Sequence, residues 1–240
     1  KGTSKSKQFR GNTQLISQDI LDTNYFRRRY YDLSFGDPAR LPIRSGSERV
    51  YLSRLTAGQQ NVNEQTLTAD DLINPSAAFT GTFVQLSAGL DYTVDYVKGI
   101  ITFKNTLEPA EVVAVDFTDA LGSRIAVQSS TSSAIVGGGT DRLKLIKTFA
   151  DVSITTSPEA GWQREIKTFY SLGRSQVVRD DGRGNFFLRV LDQNRAVIGE
   201  SLNPRQAYPD TIDVDFENGT FQLKRPFAVT GDSATVDSQI

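Results

Sequence analysis

Carboxylate and amide side chains grouped in a turn are the residues of this chain whose type and spacing could do chemistry. Asp180, Asp181 and Asn185 lie together in one polar turn, and hard oxygen ligands of this kind suit Ca²⁺. The group lacks the spacing of an EF-hand loop. Calcium is therefore the one cofactor to consider here, and no other metal or cofactor is expected.

The composition leaves little material for catalysis. The 240 residues include no His, no Cys and no Met. Without His the commonest general base is missing, and without Cys there is neither a thiolate nucleophile nor a disulfide. The sequence also has no phosphate-binding glycine loop and no dinucleotide fingerprint. We therefore predict that the chain is not an enzyme.

Five consecutive residues combine basic and aromatic side chains: Arg27, Arg28, Arg29, Tyr30 and Tyr31. Such a mixture can bind nucleic acid. However, 27 basic residues balance 28 acidic ones, so no net positive field attracts a polyanion. In one interpretation the tyrosines pack in the core, and the arginines are solvated or pair with nearby Asp32 or Asp37. In the other, which makes these five residues our interface candidates, they anchor a contact with a protein partner.

The element that organises the chain is a β-hairpin at 91–104. Apolar and polar residues alternate along it, and Gly99 is the turn residue that tolerates a positive φ. The pattern returns 120 residues later at 213–224, with Gly219 in place of Gly99. A repeat of this kind indicates two related β modules. Residues that recur in it, such as Asp95, are more simply explained as determinants of the fold than of function.

About a dozen short strand patterns separated by turn signals predict an all-β fold. We expect two antiparallel β-sandwich-like modules, each closed by a related hairpin, with at most one or two short helices. Residues 14–29 carry the best helix candidate, residues 57–76 form a long loop, and residues 112–117 add a third strand to the first hairpin in a meander. The predicted organisation is a leader with a short helix at 1–30, a first module at 31–122, a Ser/Gly-rich linker at 123–141 and a second module at 142–240.

Several motifs, taken in order, are similar to those of a known group of bacterial proteins. Residues 89–103 resemble a hairpin repeat of large surface proteins. A Leu-Lys strand at 143–147 then precedes Trp162 and a Lys-Thr-Phe-Tyr-Ser-Leu-Gly element at 167–173. Together these motifs resemble the SprA-type gliding-motility and secretion family. The resemblance implies an outer-membrane or cell-surface location, a role in protein export or gliding, and no enzymatic activity.

We therefore expect a non-enzymatic structural or interaction module in the cell envelope of a Gram-negative-type bacterium. Its partners would be other protein subunits or other domains of the same long chain, and not nucleic acid. The lack of Met indicates a processed product or an excerpt of a longer protein. No run of about 18 apolar residues occurs, so no transmembrane helix is predicted, and membrane association would come through the parent protein or partners.

The alternative function is a carbohydrate-binding module of a surface protein. β-Sandwiches often carry that role, and aromatic rings that stack on sugars are its usual signature. Trp162, Tyr170 and Tyr208 are the residues that could form such a stacking platform.

Overall fold

Strands dominate the computed structural model, and its described residues contain no α-helix. Turns join the strands, together with one 3-10 turn at Pro38–Arg40. The predicted all-β class is confirmed. The described residues are 2–4, 18–21, 24–54, 64–71, 78–128, 141–148, 164–173, 188–191, 197–200, 212–215 and 217–223. The strands are β1 Gly2–Ser4, β2 Gln18–Ile20, β3 Tyr30–Asp32, β4 Arg49–Arg54, β5 Glu64–Asp70, β6 Ala78–Gln85, β7 Tyr92–Asp95, β8 Ile100–Phe103, β9 Glu111–Asp116, β10 Val127–Gln128, β11 Asp141–Lys147, β12 Phe169–Ser171, β13 Leu188–Leu191, β14 Val197–Glu200, β15 Ile212–Asp215 and β16 Thr220–Leu223.

The chain forms two compact units that do not follow the predicted module boundaries. Unit 1 comprises Lys1–Phe26 and Lys167–Ile240, and unit 2 comprises Arg27–Ile166. The predicted linker at 123–141 does not separate them, because β11 pairs with β9 and β5 inside unit 2. The strand after the Ser/Gly-rich segment thus belongs to the same sheet as the strands before it.

Unit 2 contains a closed sheet of five strands. Strand β4 pairs with β6 and β9, β6 with β5, β5 with β11, and β11 with β9, so the ring closes. All of these pairs are antiparallel except β5 with β11. Unit 2 is therefore built around a closed ring that includes one parallel pair, and the predicted antiparallel β-sandwich-like module is not confirmed. The predicted loop at 57–76 contains β5, one strand of the ring.

Alternation along the ring strands sends side chains to two separate cores. All six residues of β9 are buried. Val112 and Ala114 belong to the cluster inside the ring, and Val113 and Val115 to the cluster on its outer face. A strand covered on both sides in this way reads as a continuous apolar run rather than an alternating one. The inner cluster is formed by Tyr51, Ala69, Phe83, Val112, Ala114, Leu143 and Leu145.

The outer face of the ring packs on a three-stranded sheet of order β3-β8-β7. Tyr31, Tyr92, Ile101 and Phe103 from this sheet join the outer cluster. The predicted hairpin is confirmed as β7 and β8, with Tyr92 opposite Phe103. The predicted meander is wrong, because β9 pairs with β4 in the ring and the third strand beside the hairpin is β3.

Unit 1 contains a four-stranded sheet of order β14-β13-β1-β2 and a three-stranded sheet of order β12-β16-β15. The second predicted hairpin is confirmed as β15 and β16, with Ile212 opposite Leu223. The helix predicted within 14–29 is wrong at its described residues. Gln18–Ile20 is a strand that pairs with β1 and buries Ile20 while Asp19 stays exposed.

Candidate interaction site

Two turns of unit 2 are hydrogen-bonded to the same chain segment. The backbone N–H of Ile43 donates to the carbonyl of Tyr96 at 2.9 Å, and the N–H of Ala120 donates to the carbonyl of Arg40 at 3.1 Å. Both turns therefore lie at one end of unit 2. We call the three segments together, residues 40–44, 96–99 and 118–122, the turn cluster.

The hairpin turn of this cluster is fixed by Asp95 and Gly99. One carboxylate oxygen of Asp95 accepts hydrogen bonds from the N–H groups of Val97 at 3.1 Å and Lys98 at 3.0 Å. Gly99 has a φ of +66°, and a Cβ there would lie 2.5 Å from the Cδ2 of Leu41. Only glycine meets both constraints without strain. The side chain of Val97 has no part in fixing the turn.

The second turn has a similar construction around Asp119, which is buried. Its carboxylate accepts from the N–H groups of Leu121 at 2.9 Å and Ser123 at 2.8 Å. Gly122 takes a φ of +78°. The backbone and an aspartate again hold the turn, so the side chain of Leu121 is free to serve another purpose.

A buried carboxylate ties the second turn to the ring. Asp116, at the end of β9, is 1% exposed. It pairs with Arg49 from β4 and with Arg124 beyond the turn, and it accepts a hydrogen bond from the N–H of Ala126 at 3.1 Å. Two guanidinium groups and a peptide N–H compensate the buried charge. This constellation positions residues 118–122.

Val97 and Leu121 are the exposed apolar residues at the two tips. They are 75% and 76% exposed. The position equivalent to Val97 in the second hairpin is Glu217, which shows that the turn forms with a charged residue there. An apolar side chain at this tip is therefore not required by the fold. Exposed apolar residues on turns that are hydrogen-bonded to the same chain segment are typical of contact surfaces.

The segments of the turn cluster also carry charged groups. Arg40 pairs with Asp37 at 3.3 Å, and Arg44 and Lys98 are exposed. Since Asp95 and Asp119 are engaged by their own turns and Arg40 is paired with Asp37, the exposed groups that this end presents to a partner are the two apolar tips and Arg44. The arrangement can bind a protein surface with an apolar recess and carboxylates beside it.

The phenols beneath the hairpin turn offer no base or nucleophile at neutral pH. Burial, followed by the charge of Glu48, raises the pKa of Tyr92 to about 12. Burial also raises the pKa of Tyr96, whose hydroxyl donates to a carboxylate oxygen of Glu48 at 2.8 Å. Both tyrosines stay protonated, so they serve the packing and hydrogen bonding of this end of the unit.

Unit 2 also has an open groove of about 440 Å³ at the start of the hairpin. Leu52, Phe103 and Leu107 line its bottom, and all three are nearly buried. Glu111, on its wall, pairs with Arg54 at 2.9 Å. The groove could hold an apolar side chain.

The tyrosines of the predicted interface cluster are buried inside unit 2. Tyr30 is 7% and Tyr31 is 1% exposed. Tyr31 meets Phe103 edge to face, with ring centroids 5.8 Å apart. The packing interpretation of these two residues is confirmed. The interface assignment is wrong for Tyr30 and Tyr31, because their rings already form part of the core of their own unit.

Arg28 and Arg29 bind backbone carbonyls rather than Asp32 or Asp37. The Nε of Arg28 donates to the carbonyl of Leu107 at 2.8 Å, and the Nε of Arg29 donates to the carbonyl of Phe103 at 3.1 Å. Both arginines hold the chain that leaves the hairpin. Arg27 is the exposed member of the cluster, and its interface role stays a prediction.

The other predicted ligand sites fall largely outside the described residues. Asp180, Asp181 and Asn185, the calcium candidates, lie there, as do Trp162 and Tyr208 of the stacking platform. Among the residues that the structure describes, no group of three or more acidic, His or Cys side chains could hold a metal ion.

The third member of the proposed platform, Tyr170, is placed in a core. It is 4% exposed and stacks on Phe221, with ring centroids 5.2 Å apart. A ring that is covered on its face by another aromatic residue is not available to a sugar. Tyr170, the one described residue of the three, therefore does not support the proposed stacking platform.

Sequence analysis missed the turn cluster because its three segments are far apart in the chain. The signal that could have found it is the comparison of the two hairpin sequences, in which the position of Val97 corresponds to Glu217.

In the described part of the chain, no helix is long and apolar enough to span a membrane. No protein-family model, no curated protein and no solved structure matches this chain.

Proposed function

We propose that this chain is a non-enzymatic structural and interaction module of a bacterial outer-membrane or cell-surface protein, and that the turn cluster is its contact surface. The observation that carries the proposal is the exposure of Val97 and Leu121, about three quarters each. They lie on turns whose geometry is fixed by Asp95 and Asp119, so the apolar tips have no role in the fold. Side chains of this kind, held rigidly, lose little entropy when a partner covers them.

The repeated architecture supports a structural role. The hairpins of the two units share one register, in which Tyr92 opposite Phe103 corresponds to Ile212 opposite Leu223. The two halves are therefore best explained as related β modules. Proteins that repeat a module along the chain usually use it as a scaffold and vary its exposed loops for binding.

The location and partners follow from the sequence motifs. The resemblance to the SprA-type family supports the cell envelope of a Gram-negative-type bacterium and a link to protein export or gliding. The partners we propose are other protein subunits or other domains of the same long chain. The exposed cation Arg44 in the turn cluster favours a partner surface that carries carboxylates.

Substitution of the tips tests the contact surface. In the full-length protein we would replace Val97→Glu together with Leu121→Asp and measure association with envelope proteins by crosslinking and co-purification from cells. The expected result is a loss of association of at least tenfold with an unchanged Tm, because the second hairpin already carries Glu217 at the equivalent position.

The matched control is Leu90→Asp. Leu90 is 68% exposed on another turn, outside the turn cluster, so this variant should keep wild-type association. Equal association of the double variant and wild type would contradict the proposal, as would an equal loss in the control.

The location has its own test. The chain has no Cys, so Thr106→Cys, at an exposed position, introduces a single reactive thiol. A membrane-impermeant maleimide should label it on intact cells, whereas Ile101→Cys, at a buried position, should react only after denaturation. Labelling of Thr106→Cys only after lysis would place the protein away from the cell surface.

A further inference from the structure

The repeat between the units is larger than the hairpin, because each hairpin is joined by an equivalent third strand. In unit 2, Tyr31 of β3 lies opposite Ile101, and the N–H of Leu33 donates to the carbonyl of Gly99 at 2.7 Å. In unit 1, Tyr170 of β12 lies opposite Phe221. There the N–H of Leu172 donates to the carbonyl of Gly219 at 2.8 Å. The strands β3 and β12 are thus equivalent elements.

The outer edge of each third strand is covered in the same way. Tyr31 forms an antiparallel bridge with Glu165, and the N–H of Ile166 donates to the carbonyl of Tyr30 at 2.8 Å. We call such a covering segment, residues 164–166 in unit 2 and residues 24–26 in unit 1, the flanking strand.

Unit 1 repeats this geometry with the other flanking strand. Tyr170 forms an antiparallel bridge with Tyr25, and the N–H of Phe26 donates to the carbonyl of Phe169, again at 2.8 Å. The two hydrogen bonds have the same length and direction. The two units therefore offer the same binding slot for an added strand.

The flanking strands are exchanged between the two halves of the sequence. The segment that covers β12 of unit 1 ends at Phe26 and continues directly into unit 2, and the segment that covers β3 of unit 2 ends at Ile166 and continues directly into unit 1. Each unit is thus completed by a strand from the sequence repeat that otherwise builds the other unit.

The connection at 27–29 carries local strain. It has one residue more than the equivalent connection at 167–168, and Arg28 within it takes a φ of +52°. A non-glycine residue in this conformation costs about 1–2 kcal/mol. Short strained connections favour the exchange of an element between copies, because the exchange can relax them.

From these observations we propose that a second copy of this chain can supply the flanking strand, with residues 24–26 of one copy covering β12 of the other. The exchanged dimer forms the same backbone hydrogen bonds between the flanking strand and β12 as the single chain, so concentration decides between the two forms. This inference deepens the proposed function, on which it rests for its relevance, by naming one partner. The test of the exchange uses purified protein, whereas the test of the proposed function uses cells, so a failure of one proposal is distinguishable from a failure of the other.

Two single-cysteine chains test the exchange. Phe26 and Phe169 lie opposite each other across the flanking strand, and the chain has no other Cys. Full-length Phe26→Cys and Phe169→Cys, one of them with a size tag, are unfolded together in urea, refolded at high concentration and oxidised. We expect disulfide-linked heterodimer in at least fivefold excess over either homodimer, and a decrease of the heterodimer after dilution before oxidation.

The controls keep the outcome decisive. Thr93→Cys, at an exposed position on β7, replaces Phe26→Cys in a parallel mixture and should give no excess of heterodimer. If the first pair does not regain the far-UV circular dichroism of the wild type, Tyr25→Cys and Tyr170→Cys, the bridged pair of the same slot, decide. Heterodimer and homodimers in the proportion of random collision, for the pair that folds, would overturn the proposal.

Discussion

Tyr92 makes the stability of unit 2 decrease at alkaline pH, and we expect the single substitution Tyr92→Phe to remove this dependence. Its ring lies in the core and is 2% exposed, and burial raises its pKa to about 12. The equivalent residue of the second hairpin is Ile212, so the position does not require a hydroxyl. Tyr92→Phe should therefore leave stability at pH 7 within about 1 kcal/mol of the wild type.

The magnitude at high pH follows from the pKa. The folded-state value is about 12, and the ordinary value for an unfolded chain is about 10. The contribution is complete below pH 10 and is lost as the pH rises through 12, because the unfolded chain releases its proton first. Two pKa steps correspond to about 2.7 kcal/mol at most.

Urea unfolding followed by circular dichroism at a series of pH values from 7 to 12 measures this loss. The chain has eight tyrosines, but the other seven are common to both proteins and cancel in the difference. Wild type should lose about 2 kcal/mol more than Tyr92→Phe over this range. Parallel curves for the two proteins would refute the argument that burial of this phenol controls its proton.

Two further predictions concern the turns. Gly99→Ala should destabilise unit 2 by about 2–3 kcal/mol in urea unfolding, because it adds a clash with Leu41 to the cost of a positive φ. The control is Gly46→Ala, which has a φ of +70° and no atom within 4 Å of an added Cβ, and it should cost only about 1 kcal/mol. Equal losses of stability in the two variants would contradict the role of Leu41. Asp215→Ala should cost about 0.5–1 kcal/mol at pH 7. Burial raises the pKa of Asp215, but hydrogen bonds from Asn218 and from the backbone of Glu217 together outweigh burial and lower the pKa overall. This stability is therefore present above the ordinary pKa of about 3.9 and is lost as the pH falls below it. A destabilisation of Asp215→Ala that is the same at pH 3 and pH 7 would contradict the hydrogen-bonded carboxylate.

The hairpins could be predicted from sequence because local chemistry determines them. Alternation sets the faces of the strands, and the pair of Asp95 and Gly99 fixes the turn within five residues. The same pair recurs as Asp215 and Gly219, which made the repeat visible. Their role as turn determinants is confirmed for Asp95, since its carboxylate binds two turn N–H groups.

The third strand of the repeat was invisible because its spacing from the hairpin differs between the copies. Tyr31 and Tyr170 are equivalent in pairing, but a segment of different length separates each from its hairpin. The closed ring was missed for another reason. Strand β5, Glu64–Asp70, is mostly polar, and only its last two residues are buried. Its sequence is therefore typical of a loop, and only its pairing with β6 and β11 makes it a strand.

The turn cluster required tertiary structure for its recognition. The turns that carry Val97 and Leu121 lie at one end of unit 2 only because backbone hydrogen bonds join both of them to residues 40–44. The buried carboxylate of Asp116, with its partners Arg49 and Arg124, was equally hidden, since a sequence does not show which of its many charges become buried.

Photo-crosslinking in living cells tests the central claim most directly. A photoreactive amino acid at Val97 or Leu121 of the full-length protein should give adducts with a discrete envelope protein, while the same probe at Leu90, which is also exposed, should not. Adducts that are the same at all three positions, or that occur only at Leu90, would contradict the assignment of the turn cluster as the surface through which this module binds its partners.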